Sequence, residues 1–84
     1  MAPLHKKVMA CLRKSFGEVE DLLEDVPGGR ITGVVVSPAF QRLDFKARQK
    51  KLADALQKGL TAQDLAKVGV IAALTPREAS LNAA

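Results

Sequence analysis

The sequence predicts a small α+β domain with helices packed on one face of a sheet. Two short runs rich in β-branched residues, RITGVVVS (30–37) and KVGVIAAL (67–74), read as strands. The connection between them is about 30 residues long and helical in pattern, which makes a parallel crossover the default. An amphipathic helix precedes both. With 84 residues and 48% hydrophobic content, the chain is one domain, residues 1–84, with enough apolar material for a core. A chain of this size buries only about 60% of its unfolded surface, so it needs a compact layered fold.

The elements follow from local chemistry. Pro3 suits a first helical position, where its missing N–H would be unpaired in any case. Leu4, Val8, Leu12 and Phe16 recur every fourth residue, with Cys11 on the same side, and predict a helix over 3–15. Residues 19–26 are ambiguous, because Val19, Leu22, Leu23 and Val26 fall at helical spacing while the segment stops at the turn Pro27-Gly28-Gly29. The valines at 34–36 suggest a strand buried on both faces, and Gly33 marks a bulge or a close backbone approach. Ser37-Pro38 ends that strand, and a turn through Phe40 and Arg42 leads to Asp44 as a helix cap.

The next helix is expected over 45–58, with Phe45, Leu52 and Leu56 as its apolar stripe and Gly59 as its stop. Thr61 and Asp64 open a shorter helix with a near capping box. After the second strand, Thr75 as cap, Pro76 at the first helical position and Glu78 three residues after the cap start a terminal helix of about two turns.

Composition excludes several functions. Trp and Tyr are absent and Phe occurs three times, so aromatic platforms for stacked bases are not expected. The lone cysteine forms no intramolecular disulfide and suits a reducing compartment; on the apolar side of its helix Cys11 reads as core filler. The N-terminal stretch lacks the apolar segment of a signal peptide, and no run reaches membrane-spanning length, so a cytoplasmic protein without membrane contact is expected. His5, near a terminus expected to be mobile, has no partner pattern for a catalytic triad, and Glu24 and Asp25 read as surface charge. No Cys/His/carboxylate spacing suggests a metal site, and PGGR lacks the spacing of a phosphate loop. The expectation is a non-enzymatic domain with no catalytic residues, no metal and no cofactor.

Charge is unevenly placed. Residues 18–25 hold five of the nine acids and no base, leaving thirteen bases against four acids elsewhere. Such a bipolar surface can steer toward an anionic partner or simply keep the protein soluble. The run from Lys46 to Lys51 holds four bases in six positions. At about 100° per residue, Lys46 and Lys50 fall on one flank of the helix, and Arg48, Lys51 and Lys58 on the other. Asp54 lies near the middle of the outer face, so the run reads as a solvated face rather than a phosphate grip.

The succession VVVSPAFQRLDFKARQKKLADAL (34–56) and KVGVIAALTPREA (67–79) resembles the BolA-like family. Members show a valine-rich strand ending in Ser-x-x-Phe, an Arg-His-Arg helix, and a strand leading to Thr-Pro-x-Glu. Ser37, Phe40, Arg48, Thr75, Pro76 and Glu78 match that order. The resemblance implies a type-II KH-like fold of order α-β-β-α-α-β-α, with a small three-stranded mixed sheet. Residues 19–26 then become the first strand of a hairpin turning at Pro27-Gly28-Gly29. It also implies pairing with monothiol glutaredoxins in iron–sulfur cluster handling or, for bacterial members, DNA binding through the KH-like surface. The family's ligating histidines fall on Gln49 and Lys67, Lys50 replaces the second Arg, and the hairpin loop carries no Cys or His. Protonated lysine has no lone pair for iron and glutamine suits a soft cluster poorly, so cluster ligation of the family kind is expected to be lost. The KH GxxG loop is also missing, as it is from BolA-like proteins generally.

Two functional expectations follow. One is an adaptor docking a monothiol glutaredoxin-like or other regulatory protein, as a monomer or weak dimer, through Arg48, Lys67, Thr75 and Arg77. The other is a nucleic-acid-binding transcriptional regulator using Arg42, Lys46, Arg48, Lys50 and Lys67. Against a functional role, Arg48 reads as a rim arginine packing along the sheet and Lys67 as an ordinary charge at a strand entry.

Overall fold

A computed structural model describes residues 3–82. The elements in chain order are α1 (Pro3–Phe16), β1 (Glu20–Val26), β2 (Arg30–Val36), a 3-10 turn (Pro38–Phe40), α2 (Phe45–Gly59), α3 (Ala62–Ala66), β3 (Val68–Leu74) and α4 (Pro76–Asn82). The strands form one mixed sheet in the order β1-β2-β3, with β1 antiparallel and β3 parallel to β2. This is the α+β class expected from the sequence, with the element order that the resemblance implied. None of the described helices is long and apolar enough to cross a membrane.

Residues 20–26 are a strand, although their apolar residues sit at helical spacing. The hairpin decides the matter. Gly28 and Gly29 both take positive φ, 88° and 75°, which closes a three-residue loop between the paired Val26 and Arg30. Seven consecutive residue pairs, Glu20–Val36 to Val26–Arg30, then outweigh a weak local preference. Gly33 has φ 131°, and a Cβ there would lie 2.6 Å from the Leu22 carbonyl oxygen. It is therefore a close backbone approach. The pairing of β2 with β3 shifts next to it, where Ile31 and Gly33 face Val68 and Ile71 and one extra residue bulges from β3.

Alternation fixes which face is the core. Leu23, Ile31, Val35, Ile71 and Ala73 meet Val8 and Leu12 of α1 and Leu52 and Leu56 of α2 in one cluster. Phe40 is fully buried, and its ring packs on Phe16 at 5.0 Å between centroids. The three valines behave differently from one another. Val35 is in this core, Val36 is buried outside it, and Val34 is only half-buried. Phe45 departs from expectation, because it is 75% exposed. The first turn of α2 is held instead by the polar contacts of Arg48, described below.

The predicted caps are present. Asp44 accepts from the Ala47 N–H at 2.8 Å and Thr61 from the Asp64 N–H at 3.1 Å. Thr75 and Glu78 exchange two bonds across the start of α4, at 2.8 and 3.2 Å. Gly59 is the last residue of α2, but its φ is not positive and it is no left-handed cap. It is small because Cys11 of α1 packs directly on it. Cys11 is half-buried at this helix contact rather than fully inside the core.

Gly33→Ala is expected to destabilise the fold by about 2 kcal/mol or more, since backbone strain and a backbone collision add. Urea unfolding checks this, with Gly28→Ala, which meets open space, as the milder comparison.

Candidate docking surface

α1 and α2 cover one face of the sheet and leave the alternate residues of all three strands on the other. Leu22, Val34 and Ala72 are direct cross-strand partners and form a row across β1, β2 and β3. Leu22 is 47% exposed, and Val34 and Ala72 are half-buried. Val70, beside the bulge, has the same parity as Ala72 and is 82% exposed. Glu20 and Glu24 flank Leu22 on this face and are exposed, so an apolar strip carries an acidic border along β1. A contiguous apolar strip of this kind is the usual mark of an interaction surface, whereas single exposed apolar residues are ordinary.

The outer edge of β3 is closed by side chains from α2. Arg48 donates through Nε to the Leu43 carbonyl at 2.9 Å and through Nη1 to the Ala73 carbonyl at 3.1 Å. The same guanidinium binds both Glu78 oxygens, Nη1 to Oε1 at 2.6 Å and Nη2 to Oε2 at 3.3 Å. Gln49 donates to the Ile71 carbonyl at 3.1 Å. The Arg48 hydrogen bond, followed by that from the Thr75 N–H, holds the Glu78 carboxyl at about 2 against an ordinary 4.5, although burial pushes it the other way. Four segments thus meet in one clasp: the loop before α2, α2 itself, the end of β3 and the start of α4.

The clasp relocates several residues predicted as contacts. Arg48 has a side chain only 12% exposed and commits four of its five N–H donors inside the chain. Thr75 is buried and caps α4, while Arg77 is exposed on the first turn of that helix. Lys67 caps the C-terminus of α3 and is exposed at the opposite end of β3. Seven strand residues separate these two groups, roughly 23 Å at the usual strand rise, so Lys67 and Arg77 do not share a site. Gln49, at a position where the resemblance places a histidine, spends its amide on β3. Lys46 and Lys50 are exposed on the α2 flank that carries Gln49, and Arg42 is exposed with φ 67° in the turn before α2.

Sequence reasoning missed a polar contact between layers. His5 is 6% exposed; its Nε2 lies 2.9 and 2.7 Å from the two Asp21 oxygens, and its Nδ1 lies 3.4 Å from Asp25. His5 is therefore a buried tie between α1 and β1 rather than part of a mobile terminus, and Asp25 is more than surface charge. The signal was the parity of β1. Once residues 20–26 are a strand, Asp21 and Asp25 share the inward face of Leu23. Among the described residues, no group of three or more His, Cys, Asp or Glu side chains is placed to hold a metal ion.

Comparison with known proteins finds no family model that matches the chain and no curated protein that matches it.

Because the folded pKa of Glu78 lies below its ordinary value, the stabilisation from the clasp is complete above about pH 4.5 and is lost as pH falls toward 2. Glu78→Gln removes that dependence. The stability gap between the parent and this variant is expected to be widest near neutrality and to close below pH 4.5, as read from denaturant midpoints across the acid range.

Proposed function

We propose that this chain is a non-enzymatic, BolA-like adaptor that docks a regulatory protein through the uncovered face of its sheet, a monothiol glutaredoxin-like protein being the partner to test first. The observation that carries this reading is the in-register apolar row Leu22–Val34–Ala72 with exposed Val70 beside it. Apolar side chains bordered by Glu20 and Glu24 suit a protein surface with basic residues at its rim and suit nucleic-acid phosphates poorly.

The element order and mixed sheet support the BolA-like part of the reading. So does the placement of the six residues that carry the resemblance. Ser37, Phe40, Arg48, Thr75, Pro76 and Glu78 lie at the ends of β2 and β3 and the starts of the segments that follow. They are architectural residues, which makes them a signature of fold. In this reading the chain contributes contact surface to an iron–sulfur or redox pathway and no cluster ligand. Gln49 and Lys67 replace the histidines, and the adaptor itself carries no cofactor.

The alternative, a nucleic-acid-binding regulator, draws on Arg42, Lys46, Lys50 and Lys67, which are exposed and outside every ion pair among the described residues. It gives up Arg48, whose donors serve the clasp.

Calorimetric titration with a purified monothiol glutaredoxin from the same cell, at low and moderate salt, tests the proposal. Binding is expected to change little with salt. It should weaken about tenfold or more with Leu22→Glu, which places a carboxylate in an apolar contact, and be unaffected by Lys46→Ala with Lys50→Ala. Absence of glutaredoxin binding overturns the proposal. So does DNA binding that collapses with salt and with the lysine substitutions. Self-association abolished by Leu22→Glu, without glutaredoxin binding, would make the occupant a second copy and likewise overturn it.

A further inference from the structure

On the helix side of the molecule, far from the open sheet face, a groove of about 450 Å³ runs between α1 and α2. Its lining includes Lys14, Lys51, Lys58, Asp54, Phe16 and Cys11. The groove follows from how the helices meet. Cys11 packs on Gly59, where any Cβ would collide with its sulfur, so the two helices touch closely at that point. Lys51 and Lys58 are seven residues apart on one flank of α2, two turns along the same side. Lys14 faces them from the last turn of α1.

A wheel drawn for α2 alone puts Lys51 and Lys58 in solvent. Only the packing of α1 adds a third ammonium and a wall opposite. All three lysines are exposed, and none forms an ion pair within 4.0 Å among the described residues. Helix ends explain part of the arrangement, since Lys14 and Lys58 each lie in a last turn and offset the macrodipole. The two helix ends supply together about one negative charge, and Asp54 supplies the only acidic side chain in the lining among the described residues. Three ammonium groups exceed that balance. Lys51, mid-helix, has no dipole role at all.

We propose that this groove binds a small phosphorylated metabolite, a polyanion whose phosphate groups neutralise Lys14, Lys51 and Lys58. Lysine serves phosphate as a mobile point charge with three donors. The half-buried ring of Phe16 and the Cys11 thiol give an apolar wall for the body of the ligand, and Asp54 accepts from a hydroxyl or amine on it. The volume falls in the range of small-molecule sites, roughly 300–1,000 Å³. A nucleic-acid strand fits less well. Asp54 lies between Lys51 and Lys58 along the helix and interrupts any phosphate track, and the groove is walled by helices on both sides.

The test uses the full chain, with adenosine triphosphate and inorganic pyrophosphate as probes in calorimetry. Alkylation of Cys11 by N-ethylmaleimide provides a local readout, because Cys11 is the sole cysteine. Adenosine triphosphate is expected to bind saturably at one site, more tightly than pyrophosphate, and to slow alkylation of Cys11 at saturation. Lys51→Ala with Lys58→Ala should weaken it about tenfold or more, since each lysine removes a charge-assisted contact. Lys46→Ala with Lys50→Ala, on the other flank, should leave affinity unchanged. Failure of both probes to saturate overturns the proposal. Binding without Cys11 protection, or equal weakening by the two lysine pairs, shows diffuse attraction and overturns it as well. Single-stranded DNA that binds through Lys51 and Lys58 more tightly than adenosine triphosphate would replace the small ligand with a macromolecule.

Discussion

Two long helices cover one face of the three-stranded sheet, and among the described residues most of the other face is left without a layer of its own. Most of the molecule follows from that constraint. All large apolar residues with the parity of Ile31 and Val35 are gathered against α1 and α2, where Phe40, Leu12 and Val8 seal the cluster. Residues of the opposite parity are mostly polar, small or left partly exposed, Val36 at the end of β2 being buried instead. Glu20, Glu24 and Thr32 meet the first condition and Ala72 the second. Leu22, Val34 and Val70 meet neither and stay partly exposed as the apolar strip.

The edges of the same sheet are guarded in two different ways. β1 lies at one edge and carries four acids in seven residues, a charge density that discourages pairing with another strand. β3 lies at the other, and there Arg48 and Gln49 occupy the carbonyls of Ala73 and Ile71. Strand addition is thereby disfavoured at both edges while the face between them remains open. A partner that approaches this sheet meets side chains rather than backbone ladders, and its specificity must come from shape and from the acidic border.

What the sequence revealed was local. Caps at Asp44, Thr61 and Thr75 could be read directly, because a cap is a contract among four consecutive residues. The strands at 30–36 and 68–74 were legible from β-branched composition. Residues 20–26 were not, since the pairing that makes them a strand lies in β2, and the resemblance rather than periodicity put them there. One consequence propagated. With β1 undecided, the inward parity of Asp21 and Asp25 was hidden, and so was the tie to His5. Phe45 was misplaced because a helical wheel treats a stripe as uniformly buried, whereas the first turn of α2 is anchored by Arg48. That arginine was expected at a docking or phosphate contact, but the partners that occupy it come from β3 and α4, 25 and 30 residues away.

The charge asymmetry visible in composition acquires a layer assignment in the fold. Acids concentrate on β1, at the edge and open face of the sheet, and bases populate α1 and α2 on the opposite side. The apolar strip and the lysine groove therefore lie back to back, with the core between them. A protein docked on the sheet and a small anion held between the helices would not compete for space. Any coupling between the two sites has to pass through packing. Leu52 and Leu56 belong to the same helix as Lys51 and Lys58 and touch the core that backs Val34. α2 borders the groove, the clasp and the sheet, so it is the element through which such packing would run.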